Sequence, residues 1–310
     1  TTAMLASTVS RPPDVLRDAV SRLAADVADS ERGASADPVA RLVGIHLEGP
    51  FLSVVRRGAH EETALRDPDP AEVDRLLEAG AGRIRAITVA PELPGALELV
   101  GRLVAAGITV AVGHTDADAD TVRRAVDAGA TAVTHTFNAM SPLHHRRPGA
   151  VGMAMDLSSL TCELILDLVH VDPVAARALV HAAGPGRVCL VTDAMAATGM
   201  SDGRYELGGL VVDVVEGRAR VNGTNTLAGS TLTMDVAVAN AVAHLRLDVP
   251  TAVAMATSVP AGLLSDLDVG RLHVGGPADM VRLDDHARLR DVWISGRHVD
   301  DVSEEVTGVR

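Results

Sequence analysis

The sequence predicts an α/β fold, a TIM-type (β/α)8 barrel, from three observations. Short β-branched segments alternate with longer Ala-, Leu- and Arg-rich segments along most of the chain. The longer segments place apolar residues three and four positions apart, as amphipathic helices do. Polar side chains directly follow several of the short segments, which is where a barrel carries its functional groups. A doubly wound parallel sheet is the alternative for the same order of elements.

The strands and helices can be assigned in order along the chain. Strands are predicted at residues 43–47, 84–89, 108–112, 131–134, 163–166 and 188–191. Helices are predicted at residues 14–29, 71–79, 94–106, 117–128, 173–183 and 231–244. Several of these helices begin at Asp or Pro and end at Gly, the residues that favour helix starts and stops.

Counting eight barrel strands requires two further candidates, at residues 1–9 and 151–155. Because eight strands are reached only by counting both of these, the first strand of the barrel is expected to be missing. A natural product longer by roughly 50 to 80 residues would supply that strand and the start of a β domain, at ordinary strand and loop sizes.

Two stretches depart from the β-α alternation and predict a small β subdomain. Residues 210–221 alternate around Glu216 and Gly217 like a hairpin, and residues 275–298 resemble short strands. The expected organisation is a catalytic barrel at 1–274, without its first strand, followed by the C-terminal part of the β subdomain at 275–310.

The composition excludes several classes of function. The chain has 310 residues and a formal charge of −13, which matches neither nucleic acid nor an anionic membrane surface. All 28 basic residues are Arg, so P-loop, Schiff-base and carbamylated-lysine chemistries are excluded. No apolar segment reaches the roughly 20 residues of a membrane span. Two isolated cysteines, Cys162 and Cys189, favour a reducing, cytoplasmic setting.

Five predicted strand ends carry His, Asp or Glu side chains, as in His46-Leu47-Glu48 and Thr192-Asp193. Bringing these polar side chains together at one end of the barrel costs free energy unless a metal ion or a substrate binds to them. Two His and a Glu suit a zinc-type site with an open position. A separate Asp suits a base that takes a proton from a water made acidic by the metal. The pattern predicts a metal-assisted hydrolase.

Six segments together resemble the N-acetylglucosamine-6-phosphate deacetylase family of the amidohydrolase superfamily. These are GIHLEGPF at 44–51, GHT at 113–115, THTFNAM at 134–140, HHR at 144–146, VTDAM at 191–195 and LAGS at 227–230. They occur in the family's order across nearly the whole chain. The resemblance implies an amidohydrolase-type barrel that hydrolyses N-acetyl-D-glucosamine 6-phosphate to D-glucosamine 6-phosphate and acetate, in amino-sugar catabolism and cell-wall recycling.

The resemblance also implies roles for individual residues. Glu48, His114 and His135 would hold a divalent metal ion, with Zn²⁺ preferred over Fe²⁺, Mn²⁺, Co²⁺ or Cd²⁺, and Asp193 would be the catalytic acid and base. Arg146 would meet the 6-phosphate, across the interface of a homodimer. The remaining substrate-binding residues implied are Ala59, His60, Asn138, Ala139, His170, Leu227, Ala228 and Gly229.

Two positions depart from the family pattern. Arg147 follows Arg146 where an acidic residue is usual, and Leu168 occupies a usual Gly position between Asp167 and His170. Two alternatives stay open: another amidohydrolase, such as a cyclic-amide hydrolase or a deaminase, and a non-catalytic fragment that lacks the first barrel strand.

Overall fold

In the part of the chain that the structure describes, the main sheet contains seven parallel strands that follow one another in sequence order. The computed structural model describes residues 1–33, 38–264 and 267–299. The strands of the main sheet are β1 (Ala3–Thr8), β2 (Arg41–Glu48), β3 (Ile84–Val89), β4 (Thr109–Val112), β5 (Ala132–Val133), β6 (Thr161–Ile165) and β7 (Val188–Val191). All six predicted strands between residues 43 and 191 are confirmed, and so is the additional strand predicted within residues 1–9.

Helices connect successive strands of the sheet and cover it. In the described part of the chain they are α1 (Pro13–Glu31), α2 (Pro70–Gly80), α3 (Ala96–Ala105), α4 (Ala119–Asp127), α5 (Gly149–Asp156), α6 (Pro173–Ala183), α7 (Met234–Leu245), α8 (Val249–Ala256) and α9 (Ser258–Gly262). None of the helices described is both long and apolar enough to cross a membrane.

Aspartate side chains fix the start of several helices. Asp118 accepts a hydrogen bond from the backbone N–H of Thr121 at 2.8 Å, and Asp172 accepts one from Val174 at 2.7 Å. Each bond satisfies a backbone donor that the helix itself cannot pair. An Asp residue in the sequence therefore predicts a helix start because its side chain can accept a hydrogen bond from such a donor.

One strand prediction was wrong. Residues 151–155 lie within α5, not in a strand. The stretch is apolar throughout and buried on nearly all sides, so its periodicity does not distinguish a short helix from a buried strand.

Two small antiparallel sheets flank the main sheet. One contains β8 (Gly203–Leu207), β9 (Leu210–Val215) and β10 (Arg218–Val221), and the other β11 (Met280–Leu283), β12 (Leu289–Ile294) and β13 (Arg297–His298). The hairpin predicted around Glu216 and Gly217 is confirmed, whereas the exposed strand β8 was not predicted. An ion pair of 2.6 Å joins Arg41 of β2 to Asp279 beside β11. The domain boundary at residue 274 stays a prediction, and residues 300–310 of that prediction lie outside the described residues.

Candidate active site

The site lies where four strands of the main sheet end. Glu48 is the last residue of β2, and His114, His135 and Asp193 each stand two positions after β4, β5 and β7. These last three residues have left-handed backbones, with φ of 45°, 29° and 50°. Non-glycine residues rarely adopt this conformation, and such residues cluster at functional sites. The left-handed turn redirects the chain immediately after each strand.

Glu48, His114 and His135 form a compact cluster. Glu48 Oε1 lies 3.3 Å from His114 Nε2 and 3.0 Å from His135 Nε2, and the two Nε2 atoms are 3.0 Å apart. The carbonyl of Arg56 accepts a hydrogen bond from His114 Nδ1 at 3.0 Å. The proton of a neutral His114 is therefore on Nδ1, and Nε2 presents a lone pair to the cluster.

This donor set fits a divalent metal ion. Ligand atoms of all three residues lie within 4.8 Å of one another, and both imidazoles are buried. Grouping imidazole lone pairs around a carboxylate in a buried site is favourable when a cation lies between them. A histidine that binds a metal usually donates its other ring N–H to a nearby acceptor, as His114 does to the carbonyl of Arg56, and this bond fixes the orientation of the ring.

The charged groups of the site shift one another's pKa values. Burial alone would raise the pKa of Glu48, but the charge of His114 and hydrogen bonds from His135 and His60 hold it well below its usual value. Burial also opposes protonation of His135, yet its hydrogen bond to Glu48 and that carboxylate's charge raise its pKa to about 9. Burial, reinforced by the charge of Glu48, raises the pKa of Asp193 to about 6.

The convergence requires a curled sheet. Glu48 ends β2 and Asp193 follows β7, five strands away, so a flat sheet would separate their strands by about 24 Å. Charges at that distance would be screened, whereas Glu48 contributes to the pKa of Asp193. Thr88 lies in β3 and Thr134 directly follows β5, so β4 lies between them. Their Oγ1 atoms are nevertheless only 2.7 Å apart, whereas in a flat sheet two strands separated by a third would lie about 10 Å from each other. These contacts favour the barrel-type sheet over the doubly wound alternative.

His60 lies buried beside the cluster with an assignable tautomer. The backbone N–H of Ser10 donates to His60 Nδ1 at 3.1 Å, and His60 Nε2 lies 3.4 Å from Glu48 Oε2. Since Nδ1 accepts, the ring proton is on Nε2. His60 therefore presents a hydrogen-bond donor toward the cluster.

His170 follows β6 in a tight turn. Its Nδ1 lies 2.6 Å from Asp167 Oδ2, and the two side chains are largely buried. His170 lies close enough to Asp193 that a charge on its ring would lower the pKa of that carboxyl.

Loops from separate parts of the chain meet beside Asp193. The backbone N–H of Ser230 donates to the carbonyl of Asp193 at 2.7 Å, and a Cβ built on Gly229 would lie 3.0 Å from that oxygen. Ala59 packs against the apolar cluster that contains Ala228. Leu227 forms an isolated antiparallel β-bridge with Arg220 of β10. The predicted segment 227–229 is thus brought to Asp193 by the first small sheet.

The loop after β5 carries three of the predicted substrate residues. Asn138 Nδ2 donates to the carbonyl of His135 at 3.1 Å, so Asn138 also stabilises the turn after its strand. The carbonyl of Ala139 accepts from Thr115 N–H at 3.2 Å, which ties this loop to the one after β4. Arg146 is exposed, and its backbone N–H donates to His144 Nδ1 at 3.3 Å. Its contribution across a dimer interface stays a prediction.

Two residues of the site were not predicted. Glu163, in the middle of β6, accepts a hydrogen bond from His135 N–H at 3.3 Å, and burial raises its pKa to about 7. Ser10, after β1, orients His60. Glu163 lies within its strand and not at the strand end, and Ser10 acts through its backbone, which carries no residue-specific signal.

A model of the Amidohydrolase family matches residues 30–303. The chain is 41% identical to N-acetylglucosamine-6-phosphate deacetylase from Bos taurus, over 86% of this chain and 66% of that protein. It is 37% identical to N-acetylgalactosamine-6-phosphate deacetylase from Escherichia coli O157:H7, over 94% of this chain and 76% of that protein.

A solved structure of a mutant N-acetyl-D-glucosamine-6-phosphate deacetylase from Mycobacterium smegmatis, in complex with N-acetyl-D-glucosamine-6-phosphate, is also similar. It superposes with a TM-score of 0.90 at 45% identity, covering 96% of this chain and 76% of that chain. The chain therefore spans about two thirds to three quarters of the length of these proteins.

Proposed function

The chain belongs to the amidohydrolase family, and we propose that it hydrolyses the acetamide of N-acetyl-D-glucosamine 6-phosphate to D-glucosamine 6-phosphate and acetate. The observation that carries this proposal is the grouping of Glu48, His114 and His135 beside Asp193 at the end of one curled parallel sheet. The relatives named as deacetylases of acetylated hexosamine 6-phosphates support the substrate class. The proposed role is in amino-sugar catabolism and cell-wall recycling.

Amidohydrolases depend on a metal, and Glu48, His114 and His135 would hold it here. We propose Zn²⁺, because two imidazoles and one carboxylate with an open position are its usual catalytic ligands, with Fe²⁺, Mn²⁺, Co²⁺ and Cd²⁺ as alternatives. Bound there, the metal would polarise the scissile carbonyl and make a water molecule more acidic.

Asp193 is proposed as the acid and base of the reaction. Its carboxylate would take a proton from the attacking water and deliver that proton to the amine as the C–N bond breaks. The raised pKa of about 6 supports this role, because such a group both accepts and releases a proton near neutral pH. His60, with its proton on Nε2, would donate a hydrogen bond to the carbonyl oxygen as negative charge develops there.

Arg146 is proposed to bind the 6-phosphate, since a guanidinium forms charge-assisted, often bidentate bonds to phosphate. A homodimer in which Arg146 reaches the neighbouring site, and a cytoplasmic location, are part of the proposal. The loops carrying Ala59, Asn138, Ala139 and segment 227–229 would line the sugar pocket.

Metal analysis combined with an acetate-release assay tests the proposal. N-acetylglucosamine 6-phosphate, its unphosphorylated form and N-acetylgalactosamine 6-phosphate should be compared on the zinc-loaded protein. Acetate release that requires both metal and phosphate is expected. Metal binding with turnover only of cyclic amides or aminated bases would instead indicate another amidohydrolase, and absence of both would indicate a non-catalytic chain.

A further inference from the structure

Asp167 and His170 form a closely defined pair that the reaction described above leaves unexplained. Asp167 Oδ1 accepts hydrogen bonds from the backbone N–H groups of Val169 at 2.9 Å and His170 at 2.8 Å. Its other oxygen, Oδ2, lies 2.6 Å from His170 Nδ1. Both oxygens of the carboxylate are therefore used within one turn, and the carboxylate cannot rotate without losing several bonds.

These bonds determine where the His170 proton lies. A carboxylate only accepts hydrogen bonds, so the ring atom facing it must be the donor. The pKa of Asp167 is lowered: burial alone would raise it, but the hydrogen bond from the His170 ring and those from the backbone N–H groups of His170 and Val169 outweigh burial. Asp167 is thus held as the carboxylate that this pairing requires.

We propose that Asp167 is a positioning residue of the proposed reaction, which fixes the proton of His170 on Nδ1 and leaves Nε2 as a hydrogen-bond acceptor for the substrate. The left-handed backbone of Leu168, with φ of 65°, shapes the turn that brings the two side chains together.

The consequence is a division of roles between two histidines. His60 receives a hydrogen bond at Nδ1 from Ser10 and so presents a donor at Nε2. His170 is fixed in the opposite tautomer and presents an acceptor. A carbonyl oxygen can pair only with the donor, whereas an amide N–H or a sugar hydroxyl can pair with the acceptor. His170 is therefore assigned to the acetamide N–H or a ring hydroxyl, and not to the carbonyl oxygen.

Nitrogen NMR of the metal-loaded protein with ¹⁵N-labelled histidine tests the tautomer without reference to activity. The spectra are recorded at pH 8.5, and His170→Ala identifies the His170 signals. We expect a protonated Nδ1 and an unprotonated Nε2. A proton on Nε2, whether alone or together with Nδ1, would overturn the proposal.

Asp167→Asn tests the positioning role. The amide oxygen can still accept from the backbone N–H groups, but its NH2 group now faces His170 Nδ1 and moves the ring proton to Nε2. We expect the two nitrogen signals to exchange character and kcat/KM to fall about tenfold to a hundredfold, since a substrate donor then meets a donor. Asp172→Asn is the matched control, because Asp172 also accepts from a backbone N–H but pairs with no histidine among the described residues.

A double-mutant cycle separates positioning from general support of the fold. If Asp167 acts through His170, Asp167→Asn should cost nothing further in a His170→Ala background. An equal loss in both backgrounds would refute the positioning role. If the tautomer is as expected but no acetate is released by the unmodified protein, the proposed function fails while the pairing stands.

Discussion

Replacing Gly113 with Ala should damage both the sheet and the cluster that follows it. Gly113 directly precedes His114, and a Cβ built on it would lie 2.7 Å from Thr88 Cγ2 and 2.8 Å from Thr134 Cβ. Both threonines are buried and β-branched, so neither can move aside cheaply. Overpacking of this kind costs about 1–3 kcal/mol.

The same methyl group would also separate two hydrogen-bonded hydroxyls. Thr88 Oγ1 lies 2.7 Å from Thr134 Oγ1 across Gly113, and losing that buried bond costs about 1 kcal/mol more. The expected loss is therefore about 2–4 kcal/mol, or about 4–8 °C in Tm at about 2 °C per kcal/mol for a chain of this size. His114 would be displaced, so the affinity for Zn²⁺ should fall as well.

Gly101→Ala is the matched control. Gly101 lies in the middle of α3 with nothing within 4 Å of a built Cβ, so alanine should stabilise the protein by about 0.5–1 kcal/mol through helix propensity. Differential scanning fluorimetry and zinc titration are performed on both variants. A Gly113→Ala protein that matches the unmodified chain in Tm and zinc affinity would refute the packing argument.

Four further substitutions address the proposed reaction. Asp193→Asn should retain the metal and bind substrate while losing about 10²–10⁴-fold in turnover, because a positioned acid and base is removed; a loss of only a few-fold in a steady-state assay would contradict its role. His114→Ala and His135→Ala should each lose metal and activity together, since two protein ligands rarely hold a catalytic ion; unchanged metal content by elemental analysis would show the ligand assignment to be wrong. Arg146→Ala should raise KM for the phosphorylated sugar more than it lowers kcat. Equal losses of kcat/KM on phosphorylated and unphosphorylated substrates would indicate that Arg146 only shapes its loop.

The fold was largely predictable because its strands and helices carry strong local signals. β3 and β7 coincide with the predicted segments, since β-branched residues are bounded there by turn and helix signals. The prediction failed for α5, whose apolar residues lack a polar face, and for β8, whose residues are mostly exposed. Burial in those two segments is decided by their neighbours in space, which local patterns do not record.

The candidate site was predictable where its side chains follow strands directly. Glu48, His114, His135 and Asp193 could be grouped because parallel strands of a barrel end at one mouth. Glu163 could not, since it lies within a strand and not at its end. The tautomer of His60 depends on a hydrogen bond from a backbone N–H, and that of His170 on a hydrogen bond to a carboxylate. No pattern of residue types specifies them.

The left-handed residues connect the fold to the proposed chemistry. A side chain within a strand stands roughly perpendicular to the sheet and can reach only its immediate neighbours. His114, His135 and Asp193 leave their strands through backbones with positive φ, a conformation that costs about 1–3 kcal/mol for such residues. Packing must offset that cost, as the contact of Thr88 and Thr134 across Gly113 does beside His114. Stability and metal affinity are therefore coupled at these strand ends, so substitutions that relax the turn should improve folding while they weaken zinc binding.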